Sequence, residues 1–196
     1  MKRLILATLI ASASLSVNAE TFVRAEFKAT GDSFTHFSVG QKIDDVSFSF
    51  GYMTGESNLE KEFTRVKKTE TYDEYYHDSK DAENKIYTFG ITYDLFDLSG
   101  VQTFIKGEYG FGTGDVTLSR SQTITTIDAQ GKESTTVNDT SESVGDVDVK
   151  YYSVQLGGTT GWEGIDIYGS IGYDVFDYGV VENSDFSASL GVQYSF

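Results

Sequence analysis

The last twelve residues, Asp185 to Phe196, alternate without a break. Phe186, Ala188, Leu190, Val192, Tyr194 and Phe196 fall on one side of an extended chain, and Ser187, Ser189, Gly191, Gln193 and Ser195 on the other. One face calls for hydrocarbon and the other for water. Left at the edge of an open sheet, such a strand would expose unpaired backbone groups beside its apolar face. Closure removes the edge, so the pattern predicts a barrel in which the last strand pairs with the first.

The same period of two recurs upstream. The spacing predicts a first strand over residues 22–29, with Val23, Ala25, Phe27 and Ala29 outward and Arg24, Glu26 and Lys28 inward. A second, 33–39, sets Thr35, Phe37 and Val39 against Phe34, His36 and Ser38, and a polar turn follows over 40–45. The third is 46–53. The fourth, 85–95, shows Tyr87, Phe89, Ile91, Tyr93 and Leu95 outward, and the fifth, 101–111, has Phe104, Lys106 and Glu108 inward. The sixth is 149–158, the seventh, 165–176, carries Asp166, Tyr168, Ser170 and Asp174 inward, and the closing stretch is the eighth. The expected fold class is therefore all-β: an eight-stranded antiparallel, up-and-down transmembrane barrel.

Connection lengths orient that barrel. The second, fourth and sixth connections are short, whereas the third (about 54–84) and fifth (about 112–148) are long and lie together at the opposite end. Short periplasmic turns and long extracellular loops put both termini in the periplasm. Residues 63–76 and 116–143 are rich in Thr and other strand-favouring residues. The central strands are thus expected to continue beyond the membrane as a polar, protruding sheet.

Residues 1–19 read as a secretory leader. Lys2 and Arg3 precede an apolar run, and Val17-Asn18-Ala19 supplies small residues before Glu20. The domain is then 20–196. Of 15 basic residues, Lys2 and Arg3 leave with the leader, so 13 face 30 acidic ones, a net charge of −17. That argues against nucleic acid as a partner. Without cysteine there is no disulfide, thiolate metal site or catalytic thiol.

Three constellations could carry chemistry. The inward charges Arg24, Glu26, Lys28, Asp94, Lys106, Glu108, Lys150, Asp166 and Asp174 must pair inside a lumen only wide enough for side chains, which predicts an ion-pair plug rather than a conduit. His36 and Ser38 share one strand face, as a base and nucleophile for ester hydrolysis would, but no orienting group is evident. Tyr72, Asp73, Glu74, Tyr75 and Tyr76, with Asp78, Asp81 and Glu83, form an acidic, tyrosine-rich loop. It lacks any calcium-loop spacing, and its composition suits protein recognition. No catalytic, cofactor-binding or metal residue is assigned.

A cleaved leader, eight strands, extension of the two central hairpins and the terminal Gly191-Val-Gln-Tyr-Ser-Phe196 together resemble the OmpX/Ail family of small outer-membrane barrels. The resemblance covers the mature chain in architecture, while its one local motif, the closing strand, is shared by many outer-membrane proteins. It implies that Tyr194 and Phe196 belong to the signal read by the barrel assembly machinery. It also implies a role in adhesion, serum resistance or host-protein binding. The strongly acidic long connections depart from the best-known members.

The expectation is a non-enzymatic, monomeric protein in outer-membrane lipid, without cofactor. Its long loops would present a surface for a host surface or matrix protein, with strand addition at an edge near Thr123 or Thr125. A structural role in membrane integrity is the alternative, and a lipid-modifying hydrolase the third.

Overall fold

The computed structural model describes residues 19–196 apart from 59–62, 70, 71, 129, 163, 180 and 181. All but the last residue of the expected leader, 1–19, lies outside the described residues. Nine strands follow in order: β1 (Glu20–Thr30), β2 (Asp32–Ile43), β3 (Val46–Asn58), β4 (Phe63–Thr69), β5 (Tyr72–Leu98), β6 (Val101–Ile127), β7 (Glu133–Trp162), β8 (Ile165–Asp177) and β9 (Glu182–Ser195). Every pairing is antiparallel. Eight strands form a closed ring, β1-β2-β3-β5-β6-β7-β8-β9, and β4 stands outside it, paired to β5.

The predicted closure is present. β1 and β9 pair from Phe22↔Ser195 to Ala29↔Ala188, and the Phe196 amide donates to the Thr21 carbonyl at 2.9 Å. Because parity fixes the face, one register places Val23, Ala25, Phe27 and Ala29 of β1 and Phe186, Ala188, Leu190, Val192 and Tyr194 of β9 outside, while Phe22 falls on the inner face with Arg24. Trp162 and Phe186 are 77% and 78% exposed, whereas Lys28 and Lys106 are 0% and 1% exposed. A water-soluble domain arranges these residue types the other way round. Space inside is made by glycine: a Cβ on Gly51 would come within 2.3 Å of the His36 ring, and one on Gly191 within 2.5 Å of Tyr168.

Three expectations are corrected. Strand β2 continues through 40–43, and only Asp44-Asp45 turns, with Asp44 at a φ of 53°. The long connections are not loops. Strand β5 runs 27 residues and β6 another 27, and β7 runs 30, so most of 54–84 and 112–148 is paired strand. Thr and Ser on both faces defeat a search for apolar alternation, yet they pair readily when water covers both sides. Lys150 points outward, since Val149 and Tyr151 on either side of it are buried at 1% and 0%.

The expected polar sheet beyond the barrel is also present. β4 pairs with β5 from Phe63↔Asp78 to Thr69↔Tyr72, β5 with β6 up to Tyr72↔Thr126, and β6 with β7 up to Ile127↔Glu133. This four-stranded extension, in the order β4-β5-β6-β7, rises through roughly 40 Å of strand beyond Asp115.

Candidate functional site

Two places hold the residues singled out by the sequence: the lumen and the protruding sheet. The lumen is layered. At the level of β1's middle, Lys28 Nζ lies 3.5 Å from Glu108 Oε2 and 3.4 Å from Asp174 Oδ1, and it donates to the Tyr151 hydroxyl. Tyr151 donates in turn to Asp174 Oδ1 at 3.1 Å. Lys106 Nζ sits 3.2 Å from Glu26 Oε2 and 3.0 Å from Glu108 Oε1. All of these side chains are buried. Toward the short-turn end, Arg24 donates through Nε (3.1 Å) and Nη2 (2.6 Å) to Gln193 Oε1, with its guanidinium 4.5 Å from the Tyr168 ring centroid. Lys28 and Lys106 thus bridge three carboxylates, Glu26, Glu108 and Asp174, the condition for burying those charges, while Arg24 is held by Gln193 and the Tyr168 ring.

Above this tier lies a feature the sequence reading did not assemble. Phe34, Met53, Ala82, Ile86, Val116, Val149, Tyr151, Phe176 and Tyr178 pack into one buried cluster, with Phe34 and Phe176 stacked at 4.9 Å. Over it, the Tyr178 hydroxyl donates to Asn84 Oδ1 at 3.0 Å, and Asn84 Nδ2 donates to Ser57 Oγ at 2.9 Å. Burial pushes the Tyr178 phenol above its ordinary range, against the opposing effect of its hydrogen bonds to Ser57 and Asn84. An apolar stopper over an ion-pair tier is a packed core turned inside a ring of strands, and it suits rigidity rather than conduction.

The remaining sequence candidates scatter. Asp94 is not in the central network but pairs with Lys42 at 2.5 Å near the short turns. Asp166 is half-buried toward the same end and takes part in none of the ion pairs among the described residues. His36 and Ser38 do share the inner face, but their relation differs from the expected one. The imidazole meets Thr88 Oγ1 at 2.8 Å through Nε2 and Glu26 Oε2 at 3.3 Å through Nδ1. The orienting carboxylate missing from the sequence reading is therefore supplied by the neighbouring strand, and the hydroxyl partner is Thr88 rather than Ser38. This chain of three is enclosed, with His36 only 1% exposed. Among the described residues, no group of three or more His, Cys, Asp or Glu is placed to hold a metal ion.

The protruding sheet redistributes the other candidates. Tyr72, Asp73, Glu74, Tyr75 and Tyr76 belong to β5, an interior strand paired to β4 on one side and β6 on the other, and not to a loop. Tyr75 is exposed; the side chains of Tyr72, Asp73, Glu74 and Tyr76 lie outside the described residues. Thr123 and Thr125, expected at an edge, sit on β6 between β5 and β7. The true edges are β4 and the upper part of β7, because β8 joins β7 only from Lys150↔Asp177 downward. Across β6 and β7, Thr125 and Thr135 hydroxyls meet at 3.2 Å, and Asp128 Oδ1 accepts the Gln130 and Lys132 amides to fold the tip.

The outward face changes character at one level. Down β5 it reads Asp81, Glu83, Lys85 and then Tyr87, Phe89, Ile91, Tyr93, Leu95; down β7 it reads Asp146, Asp148, Lys150 and then Tyr152, Val154, Leu156. Aromatic side chains mark the step: Tyr52–Tyr87 at 5.5 Å, Tyr87–Phe111 at 6.2 Å, Tyr109–Tyr152 at 5.4 Å and Tyr173–Phe186 at 5.6 Å. Near the short turns, Tyr194 and Phe196 stack at 6.0 Å.

No family model matches the chain, and no curated protein sequence does. Among solved structures it is similar to the N-terminal β-barrel domain of Pseudomonas aeruginosa OprF, at 15% identity and a TM-score of 0.45, covering 91% of this chain and 98% of that one. It is similar to Neisserial surface protein A at 14% identity and a TM-score of 0.43, covering 91% and 96%. It is similar to Ail, the attachment invasion locus protein of Yersinia pestis, at 10% identity and a TM-score of 0.35, covering 91% and 97%. The chain's own pairing makes it an eight-stranded antiparallel β-barrel, filled by an ion-pair tier beneath an apolar cluster and apolar on its outer face, whose central hairpins extend into a free-standing polar sheet.

Proposed function

We propose that this chain is an integral outer-membrane barrel protein that works by recognition rather than catalysis, presenting its protruding sheet to an extracellular protein in an adhesive or host-binding role. The observation that carries the membrane reading is the level at which the outward face switches from charge to aromatic and aliphatic side chains, repeated on β5 and β7. From Tyr87 to Leu95 the apolar row spans roughly 20–25 Å along a tilted strand, the height of an outer-membrane belt. The short turns and both strand termini, Glu20 and Ser195, then face the periplasm, and the sheet stands outside the cell. Tyr194 lies on the closing strand and Phe196 directly follows it, where the barrel assembly machinery would read them.

Recognition is assigned to the sheet because the lumen is filled and its reactive groups are enclosed. The sheet, in contrast, offers exposed Tyr75, exposed β7 side chains from Glu133 to Ser143, and two strand edges. Replacing residues 117–143 by a short turn tests this on cells whose surface expression has been verified. Binding to host cells or matrix should fall to background while the barrel stays folded. Undiminished binding with the sheet removed overturns the reading.

A further inference from the structure

The two edge strands of the protruding sheet differ in the charge of their own residues, with Lys67 and Lys68 of β4 opposite Glu74 and Asp73 of β5 in the register. β4, Phe63–Thr69, contains Arg65, Lys67 and Lys68 and no acidic residue. The free stretch of β7, residues 133–148, contains Glu133, Asp139, Glu142, Asp146 and Asp148 and no basic residue. The whole chain has only 15 basic residues, so three within seven positions on one edge mark a local departure from its acidic character. Among the described residues, β4 pairs only with β5, and residues 133–148 pair only with β6.

We propose that copies of this chain associate in rows within the membrane, the basic β4 edge of one pairing antiparallel with the acidic β7 edge of the next. The inference rests on the membrane reading above, which gives all copies the same orientation. The sense of the strands follows from it. β5 descends toward the short turns, so β4, antiparallel to it, rises away from the membrane, and β7 descends. Side by side in one membrane, β4 of one copy and β7 of another run antiparallel, the favourable ladder geometry. Like edges fare worse: a two-fold axis along the membrane normal places β7 beside β7, or β4 beside β4, in parallel and with like charges opposed.

Because the two edges are different surfaces, each pairing leaves one edge free at either end, and the contact propagates as an open row instead of closing as a dimer. Charged edges block indiscriminate strand pairing. Here they also select, since only the opposite edge is attractive. Each contact is short, about the seven residues of β4. Confinement to a plane in one orientation removes much of the rotational freedom that association otherwise costs. The proposal departs from the monomer expected from the sequence.

The chain lacks cysteine, which makes the test clean. One copy carries Thr64→Cys, and a second, co-expressed, carries Thr136→Cys, Asn138→Cys or Thr140→Cys. Intact cells are then treated with a mild oxidant. A cross-linked pair is expected between unlike copies in at least one register, and a ladder of higher species when one chain carries both cysteines. Arg65→Glu with Lys67→Glu and Lys68→Glu should reduce the cross-link at least tenfold, and Asp139→Lys with Glu142→Lys in the partner should restore it. Absence of a cross-link in every register, indifference to charge reversal, or pairing of Thr64→Cys copies with each other overturns the proposal. Fractionation of the same cells separates the two layers of inference. Protein inserted in the outer membrane but not cross-linked sinks the rows alone, whereas protein recovered as soluble sinks the membrane reading and the rows with it.

Discussion

Strands β5 and β6 each belong to two different worlds. In its lower half β6 alternates Ile105 and Tyr109 outside with Lys106 and Glu108 inside, and every side chain faces either the lumen or the apolar belt. In its upper half, residues 117–127, the same strand keeps its antiparallel partners but carries Thr117, Ser119, Ser121, Thr123 and Thr125 on one face and a mixed set, Leu118, Arg120, Gln122, Ile124 and Thr126, on the other. Backbone pairing is continuous through the change. What differs is the surroundings of the side chains: below, an ion-pair core and, on the proposed membrane reading, hydrocarbon; above, water on both sides. The lower region therefore owes its stability to its filling, and the upper one to ladder hydrogen bonds and cross-strand pairs of a few tenths of a kcal/mol each.

That contrast can be broken most severely in the lumen. Lys106→Ala leaves Glu26 and Glu108 facing each other without their shared cation, and should cost about 3–5 kcal/mol, read as a shift in the urea midpoint of the lipid-inserted protein. Next comes the belt, where Ile91→Arg places a charge among aliphatic side chains and should cost about 2–4 kcal/mol in the same measurement. A smaller effect is expected at the stopper. Tyr178→Phe removes the phenol that donates to Asn84, at about 1 kcal/mol. Since burial raises the Tyr178 pKa in the folded protein, its contribution is fully present below the unfolded phenol value of about 10 and lost as pH rises through the folded value. The wild type and Tyr178→Phe should thus converge in stability at strongly alkaline pH. Least affected should be the sheet: Thr125→Arg, the same added charge as in the belt variant, is expected to change stability by less than about 0.5 kcal/mol. Equal costs for Ile91→Arg and Thr125→Arg would erase the distinction between the two regions.

Where the sequence was readable, and where it was not, follows the same division. Parity alone placed Phe186, Ile167 and Tyr87 outside and Lys28, Glu108 and Asp174 inside, because one buried face per strand forces a strict alternation. Parity says nothing of height. Phe34, Met53, Ile86 and Phe176 were legible as inward residues one strand at a time. That they meet at one level depends on the stagger between strands, which no single strand encodes. The His36–Glu26 contact was missed for that reason: the two are cross-strand neighbours, paired in the β1–β2 register. Lys150 faces outward, as the parity set by buried Val149 and Tyr151 requires, although its charge alone would suit the lumen. In the upper sheet the alternation itself vanishes, so 63–69 and 133–148 offered only Thr content as a signal, and the edge was put at Thr123 and Thr125 instead of on β4 and β7.

On the proposed reading, one level of the outward face separates lipid from water. Single cysteines at Asp81, Glu83, Lys85, Phe89, Ile91 and Tyr93 on β5, introduced one at a time into a chain that has none, read that level directly through labelling of intact cells with a membrane-impermeant maleimide. Labelling should be rapid at 81, 83 and 85 and fall sharply at 89, 91 and 93, with the step between Lys85 and Phe89. Uniform labelling along all six positions would contradict the account and return the chain to water.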